Sequence, residues 1–129
     1  DPRGLDLILE TAKEDFSLSV RRAAARGLGA MQWDKLTAQE RQKEQVRSRD
    51  VLLSIIKDDP EWVVRYGGVV GLQGVATAAM ADGLHDLVEP IETALHDRMQ
   101  TDDTSAVRSR AQWALDSIES CVGKVREKL

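Results

Sequence analysis

The residues best equipped for chemistry gather in one stretch, Glu61-Trp-Val-Val-Arg-Tyr66. Trp62 and Tyr66 are one helical turn apart, so a helix carries both rings on one face, with Val69 and Gln73 further along it. Such a face serves either a bound partner or extra core beneath a neighbouring helix, and the residues leave both readings open. Arg65 offers a guanidinium for an anion, yet its setting recurs. Val20-Arg21, Val64-Arg65 and Val107-Arg108 each follow an aspartate five residues before the valine, namely Asp15, Asp59 and Asp102. One copy in every unit favours a structural duty, with each arginine paired to the turn aspartate of its own or a neighbouring unit.

Other positions are read by where they break the repeat. Trp62 stands where the other copies have Leu18 and Ser105, Tyr66 where they have Arg22 and Ser109, and Trp113 where they have Arg26 and Val70. Trp113 is expected to flank the same surface as Trp62 or to plug the C-terminal end. Gly67, Gly71, Gly74 and Ala78 form a stripe of minimal side chains, joined by Gly68. Each helical glycine costs roughly 1 kcal/mol relative to alanine, so something must offset it. Close packing of another helix is the favoured explanation, and a flat ligand against bare backbone is the other. His85 and His96 have no cysteine or second histidine at ligand spacing, so no metal site is expected. His96 aligns with Leu9 and Leu53, which predicts a buried or boundary histidine. Cys121 falls on the small-residue stripe and reads as packing. There is no glycine-rich phosphate loop and no nucleophile motif.

These residues are positioned by a unit written three times. Val64, Gly68, Leu72 and Val75 follow the spacing of a buried helical face, and Val20, Ala24, Leu28, Met31 and Val107, Ala111, Leu115, Ile118 repeat it. Asp59, Pro60 and Glu61 predict a helix start there, with Asp59 as cap and Pro60 in the first turn. Ahead of each framed helix lies another, marked by Leu5, Ile8, Leu9 and Ala12, then Leu52 and Ile56, then Leu87, Ile91, Leu95 and Met99. Thr37 to Glu40 has the form of a capping box. The segment from Thr37 to Gln45 is polar all round and is expected to project beyond the core. Ala79 to Gly83 reads as a linker, Pro90 as a helix start or a kink, and Gly123 as a helix end. Nothing alternates with period two. The prediction is an all-α, right-handed stack of three helical hairpins at about 3–33, 37–78 and 84–122, in one domain covering 1–129.

Composition narrows the classes. The 129 residues carry a net charge of −4, which argues against nucleic acid, and the cluster Arg21, Arg22 and Arg26 reads as a solvated face. A single cysteine excludes an internal disulfide, and no apolar run reaches membrane length, so a cytoplasmic protein without membrane insertion is expected. The first residue is not Met, and the chain is expected to be a piece of something longer.

Three runs carry a closer likeness: Ser19-Val-Arg-Arg-Ala-Ala-Ala-Arg-Gly-Leu-Gly29, Asp59-Pro-Glu-Trp-Val-Val-Arg-Tyr-Gly-Gly-Val-Val-Gly-Leu-Gln73 and Ala106-Val-Arg-Ser-Arg-Ala-Gln-Trp-Ala-Leu115. The hairpins resemble HEAT repeats, and together the runs resemble the HEAT-type phycobilin lyases of cyanobacteria, most of all the F-type subunit of the heterodimeric enzymes. The resemblance covers nearly the whole chain, and Trp-Val-Val-Arg-Tyr is its most specific part. It implies a lyase subunit that attaches an open-chain tetrapyrrole, a phycocyanobilin-like bilin, to a cysteine of a phycobiliprotein through a thioether. The bilin is substrate, no permanently bound cofactor is implied, and the partners implied are an E-type subunit and the phycobiliprotein acceptor. The reactive thiol is the acceptor's, which fits the missing nucleophile motif. On this reading Trp62, Tyr66 and Trp113 supply stacking surface, Arg65 or Arg108 meets the propionates, and Glu61 meets the pyrrole N–H groups. The alternative is a non-catalytic HEAT scaffold, such as a phycobilisome assembly or degradation factor.

Overall fold

Capping chemistry sets where the helices begin and end. The computed structural model describes residues 2–127, and among them runs α1 (Pro2–Glu14), α2 (Leu18–Gly29), a 3-10 turn (Trp33–Lys35), α3 (Ala38–Asp58), α4 (Trp62–Ala81), α5 (His85–Thr101) and α6 (Ser105–Glu127). The fold is all-α, as the periodicity predicted. Thr37 caps α3 as expected: its hydroxyl accepts from the Glu40 N–H, while the Glu40 carboxylate accepts from the Thr37 N–H, both at 3.2 Å.

Several boundaries differ from the sequence expectation, each for a local reason. Asp59 does not cap α4, which starts at Trp62 with Glu61 as N-cap. The Asp59 carboxylate accepts instead from the Glu61 N–H and from Arg21, which holds residues 59 to 61 extended and leaves Pro60 outside the helix. The expected linker from Ala79 is still helix, because Ala79 and Met80 are buried in the core. The chain leaves α4 at Gly83, whose φ of +75° suits a residue without Cβ. The N–H groups of Leu84 and Gly83 then return to the carbonyls of Ala79 and Met80. α5 begins five residues before Pro90 and runs through it. α6 likewise passes through Gly123, where nothing crowds the backbone.

Three hairpins, α1–α2, α3–α4 and α5–α6, bury one continuous core that includes Leu9, Leu28, Leu52, Ile56, Val64, Leu72, Leu95, Val107 and Leu115. The second helices lie tightly along one another with α4 in the centre, whereas α1, α3 and α5 approach each other at far fewer points. The stack therefore curves, with α2, α4 and α6 on its hollow side. Val20 is a correction: Val64 and Val107 are fully buried, but Val20 is exposed, since no unit packs in front of α2 among the described residues. The start of α3 does not project free either. Gln45 is fully buried and donates to Asp82, and Arg41 pairs with the same carboxylate at 3.2 Å, tying α3 to the end of α4.

The glycine stripe is a helix contact. A Cβ on Gly71 would run into the Ala25 carbonyl and one on Gly74 into the Gly29 carbonyl, so α2 and α4 touch backbone to backbone. The places in the first unit that correspond to Gly67, Gly71 and Gly74, namely Ala23, Gly27 and Ala30, are not buried, because α2 presents Ala25 and Gly29 to α4 instead. No described helix is long and apolar enough to cross a membrane.

Candidate functional site: an aromatic and arginine cleft

The frame arginines form a ladder between units. Arg21 donates to both carboxylate oxygens of Asp59, at 2.9 and 3.2 Å, and to the carbonyl of Asp15 at 2.8 Å. Arg65 repeats this with both oxygens of Asp102, at 3.0 and 3.2 Å, and the carbonyl of Asp59 at 2.9 Å. Each arginine thus holds the backbone of its own turn and the carboxylate of the next. Arg108 makes the first of these bonds, to the Asp102 carbonyl at 2.6 Å. The aspartates are fixed in turn by accepting from the N–H two residues on, in Ser17, Glu61 and Thr104. Burial alone pushes the Asp102 carboxyl up, but its bonds from Arg65 and from the Thr104 N–H outweigh this and hold it below the usual range.

The ladder decides which of the singled-out residues can meet a ligand. Arg65 is buried, and its guanidinium is occupied by Asp102, Asp103 and the Asp59 carbonyl. Arg108 stands on the same ladder. Glu61 is exposed at the start of α4, where its charge acts on Arg21. The basic cluster divides: Arg21 is buried in the ladder rather than solvated, while Arg22 and Arg26 are exposed on the hollow side.

Trp62 and Tyr66, in contrast, come together, while Trp113 packs against Arg110. Trp62 and Tyr66 meet edge to face, with ring centroids 6.5 Å apart and planes at 84°, a favourable aromatic geometry. They line a cleft of about 330 Å³ with Arg22 and Arg26 from α2, Val63 from α4 and Ala106 from α6. Trp62 is 44 % exposed and Tyr66 half-buried, so the rings face an opening rather than filling the core. The far end of the same face closes: Val69 is fully buried and Gln73 donates to Ser117 across the α4–α6 contact at 3.1 Å.

Arg110 is the residue the sequence reading missed. One turn beyond Ala106, it is 8 % exposed and lays its guanidinium over the Trp113 ring, 3.9 Å from the centroid. Trp113 itself is 61 % exposed and packs under the Arg110 guanidinium outside the cleft lining. A signal existed, since Arg110 occupies the place of Ala23 and Gly67 in the other units. His96 is another correction: it is exposed, 3.9 Å from Glu119, because α5 turns that position outward from the stack. Roomier clefts beside Trp33 and between α3 and α5 do not combine aromatic rings with a set of arginines.

No family model matches the sequence. The chain is 42 % identical over 110 residues to the phycocyanobilin lyase subunit beta of Nostoc sp., a match covering 85 % of this chain and 52 % of that protein. It is 33 % identical over 79 residues to the phycocyanobilin lyase subunit beta of Mastigocladus laminosus, covering 61 % of this chain and 67 % of the relative. A solved structure of the complex of CpcE and CpcF of phycocyanin lyase from Nostoc sp. superposes with a TM-score of 0.77 at 41 % identity, over 88 % of this chain and 63 % of the matched one. The chain spans about half the length of the Nostoc relative. Shared sequence across most of these residues, and the same helical stack, place the chain in the HEAT-repeat phycobilin lyase family.

Proposed function

We propose that this chain acts as the F-type, or beta, subunit of a phycobilin lyase, holding an open-chain tetrapyrrole while a phycobiliprotein cysteine adds to it. The observation that carries the reading is the open Trp62–Tyr66 pair with Trp113 nearby, on the hollow face of a rigid helical stack. A bilin is a flat, conjugated chain with many conformers, and stacking against fixed rings selects one. The reaction itself needs little from the protein. The acceptor thiol adds across the exocyclic ethylidene double bond, a sulfur–carbon bond forms, the thiol proton passes to the tetrapyrrole and nothing leaves. The enzyme's task is orientation, with exclusion of competing nucleophiles, a task that proximity can accelerate by many orders of magnitude.

The neighbouring structure is a complex of CpcE and CpcF, and this supports an E-type subunit as the partner here. A phycobilisome-associated, cytoplasmic setting follows from the same reading. The names of the relatives support phycocyanobilin as substrate and phycocyanin as acceptor.

The test is reconstitution of this chain with an E-type subunit, bilin and a phycobiliprotein acceptor, scored by zinc fluorescence of the acceptor. Trp62→Ala combined with Tyr66→Phe is expected to lower transfer roughly two- to tenfold, because the one stacked ring it removes contributes about 0.5–1.5 kcal/mol beyond its area. Unchanged transfer moves the site elsewhere. Neither a bilin absorbance shift nor transfer by the unaltered pair favours the scaffold reading.

A further inference from the structure

Arg110 is buried without the partner that a buried charge requires. Its Nη1 is enclosed and makes no hydrogen bond. Among the described residues Arg22, Arg26, Arg108 and Arg110 enter no ion pair, although Arg108 donates to the Asp102 carbonyl, and Arg21 and Arg65 on the same helical layer are each held bidentately by an aspartate. Burial pushes the Arg110 guanidinium down from its ordinary value, Arg26 adds like-charge repulsion, and the Tyr66 hydroxyl offsets part of this. A guanidinium stays protonated in proteins, so the charge persists there uncompensated. Leaving a buried charged donor unmade is costly, and natural interiors avoid it unless something else supplies the acceptor. The surroundings are built rather than accidental. The Trp113 ring stacks on the guanidinium, and Arg110 lies one helical turn beyond Ala106, which lines the cleft with Arg22, Arg26, Trp62 and Tyr66.

We infer that Arg110, with Arg26, forms a carboxylate-binding subsite at the Trp113 side of the cleft and takes a propionate side chain of the bound tetrapyrrole. This rests on the bilin reading above and sharpens it, since propionate recognition passes from the ladder arginines, Arg65 and Arg108, which donate to an aspartate carboxylate or carbonyl, to Arg110, whose enclosed Nη1 has no acceptor. A planar fork suits a carboxylate's two oxygens. An anchored propionate, with the rings stacked beside it, also fixes which end of the tetrapyrrole points toward the acceptor.

The experiment titrates this chain with its E-type partner, using phycocyanobilin free acid and its dimethyl ester, and follows bilin absorbance and tryptophan fluorescence. The expected result is that the free acid binds at least roughly tenfold more tightly than the ester, as a charge-assisted hydrogen bond of ordinary strength requires. Arg110→Gln is expected to abolish that preference, Arg110→Lys to restore part of it and Arg26→Gln to reduce it. Circular dichroism reports whether each variant folds, and should Arg110→Gln unfold, the exposed Arg26→Gln decides. Equal binding of acid and ester by the unaltered pair overturns the subsite and leaves bilin binding standing. A preference that survives in the folded variants overturns the assignment to these arginines. Failure of both ligands to bind overturns the bilin reading and this inference with it.

Discussion

At the scale of single residues, two salt bridges of the ladder are buried deeply enough to matter for stability, Arg21–Asp59 and, the deeper of the two, Arg65–Asp102. Surface ion pairs contribute about 0–1 kcal/mol, but breaking a buried pair strands a charge and costs about 3–5 kcal/mol. The Asp102 side chain is 1 % exposed and that of Arg65 is 9 %. Asp102→Ala is therefore expected to destabilise the protein by about 3–5 kcal/mol, measured by urea unfolding. Its pH dependence has a definite sign. The folded-state pKa of Asp102 is depressed below the ordinary 3.8, so its contribution is fully present above that value and is lost as pH falls through the lower, folded value. Asp102→Asn should flatten the acid limb of a stability profile, while neutral and basic pH show only the constant loss. An unchanged acid limb would mean that other carboxylates dominate acid unfolding.

At the scale of helices, the same chemical change has opposite outcomes at two glycines. Replacing a helical glycine by alanine gains about 1 kcal/mol of propensity where there is room. At Gly27 an added Cβ meets nothing within 4 Å, so Gly27→Ala is expected to raise stability by about that much. At Gly71 the added carbon meets the Ala25 carbonyl, which is backbone and cannot swing away. Gly71→Ala should force α2 off α4 and destabilise by about 1–3 kcal/mol despite the propensity gain. Thermal melts of both variants check the pair, and equal shifts would contradict the close packing. Because α2 carries Arg22 and Arg26 while α4 carries Trp62 and Tyr66, Gly71→Ala should also weaken bilin binding without altering any group that lines the cleft.

At the scale of the whole molecule, the cleft and its Arg110–Trp113 flank draw on all three second helices, one from each hairpin. A ligand seated there bridges units that otherwise meet only their neighbours, so binding should stabilise the stack as a whole. At a bilin concentration one hundred times Kd the gain is about 2.7 kcal/mol, which should raise Tm by roughly 5 °C or more. The dimethyl ester, lacking the charge, should raise it less. A bilin that binds tightly without moving Tm would have to bind the unfolded chain equally well, and so could not depend on the stacked arrangement of the three helices.

Much of this molecule was legible before any coordinates. Three copies of one apolar frame determine three hairpins, because helical burial is written at i, i+4 spacing along the chain itself. The recurring Asp and Arg determine the ladder in kind, since side chains that recur in every unit are built for contacts between units. The tertiary structure alone decided the rest. It placed Arg65 between Asp59 and Asp102, left Val20 uncovered in a position where Val64 and Val107 are buried, turned His96 outward, and enclosed Arg110 against Trp113 without a carboxylate. Local spacing reports which face of a helix is apolar. Which neighbour reaches a given side chain, and whether a charge finds its partner, depends on distances between helices far apart in sequence, and those are set only when the units stack.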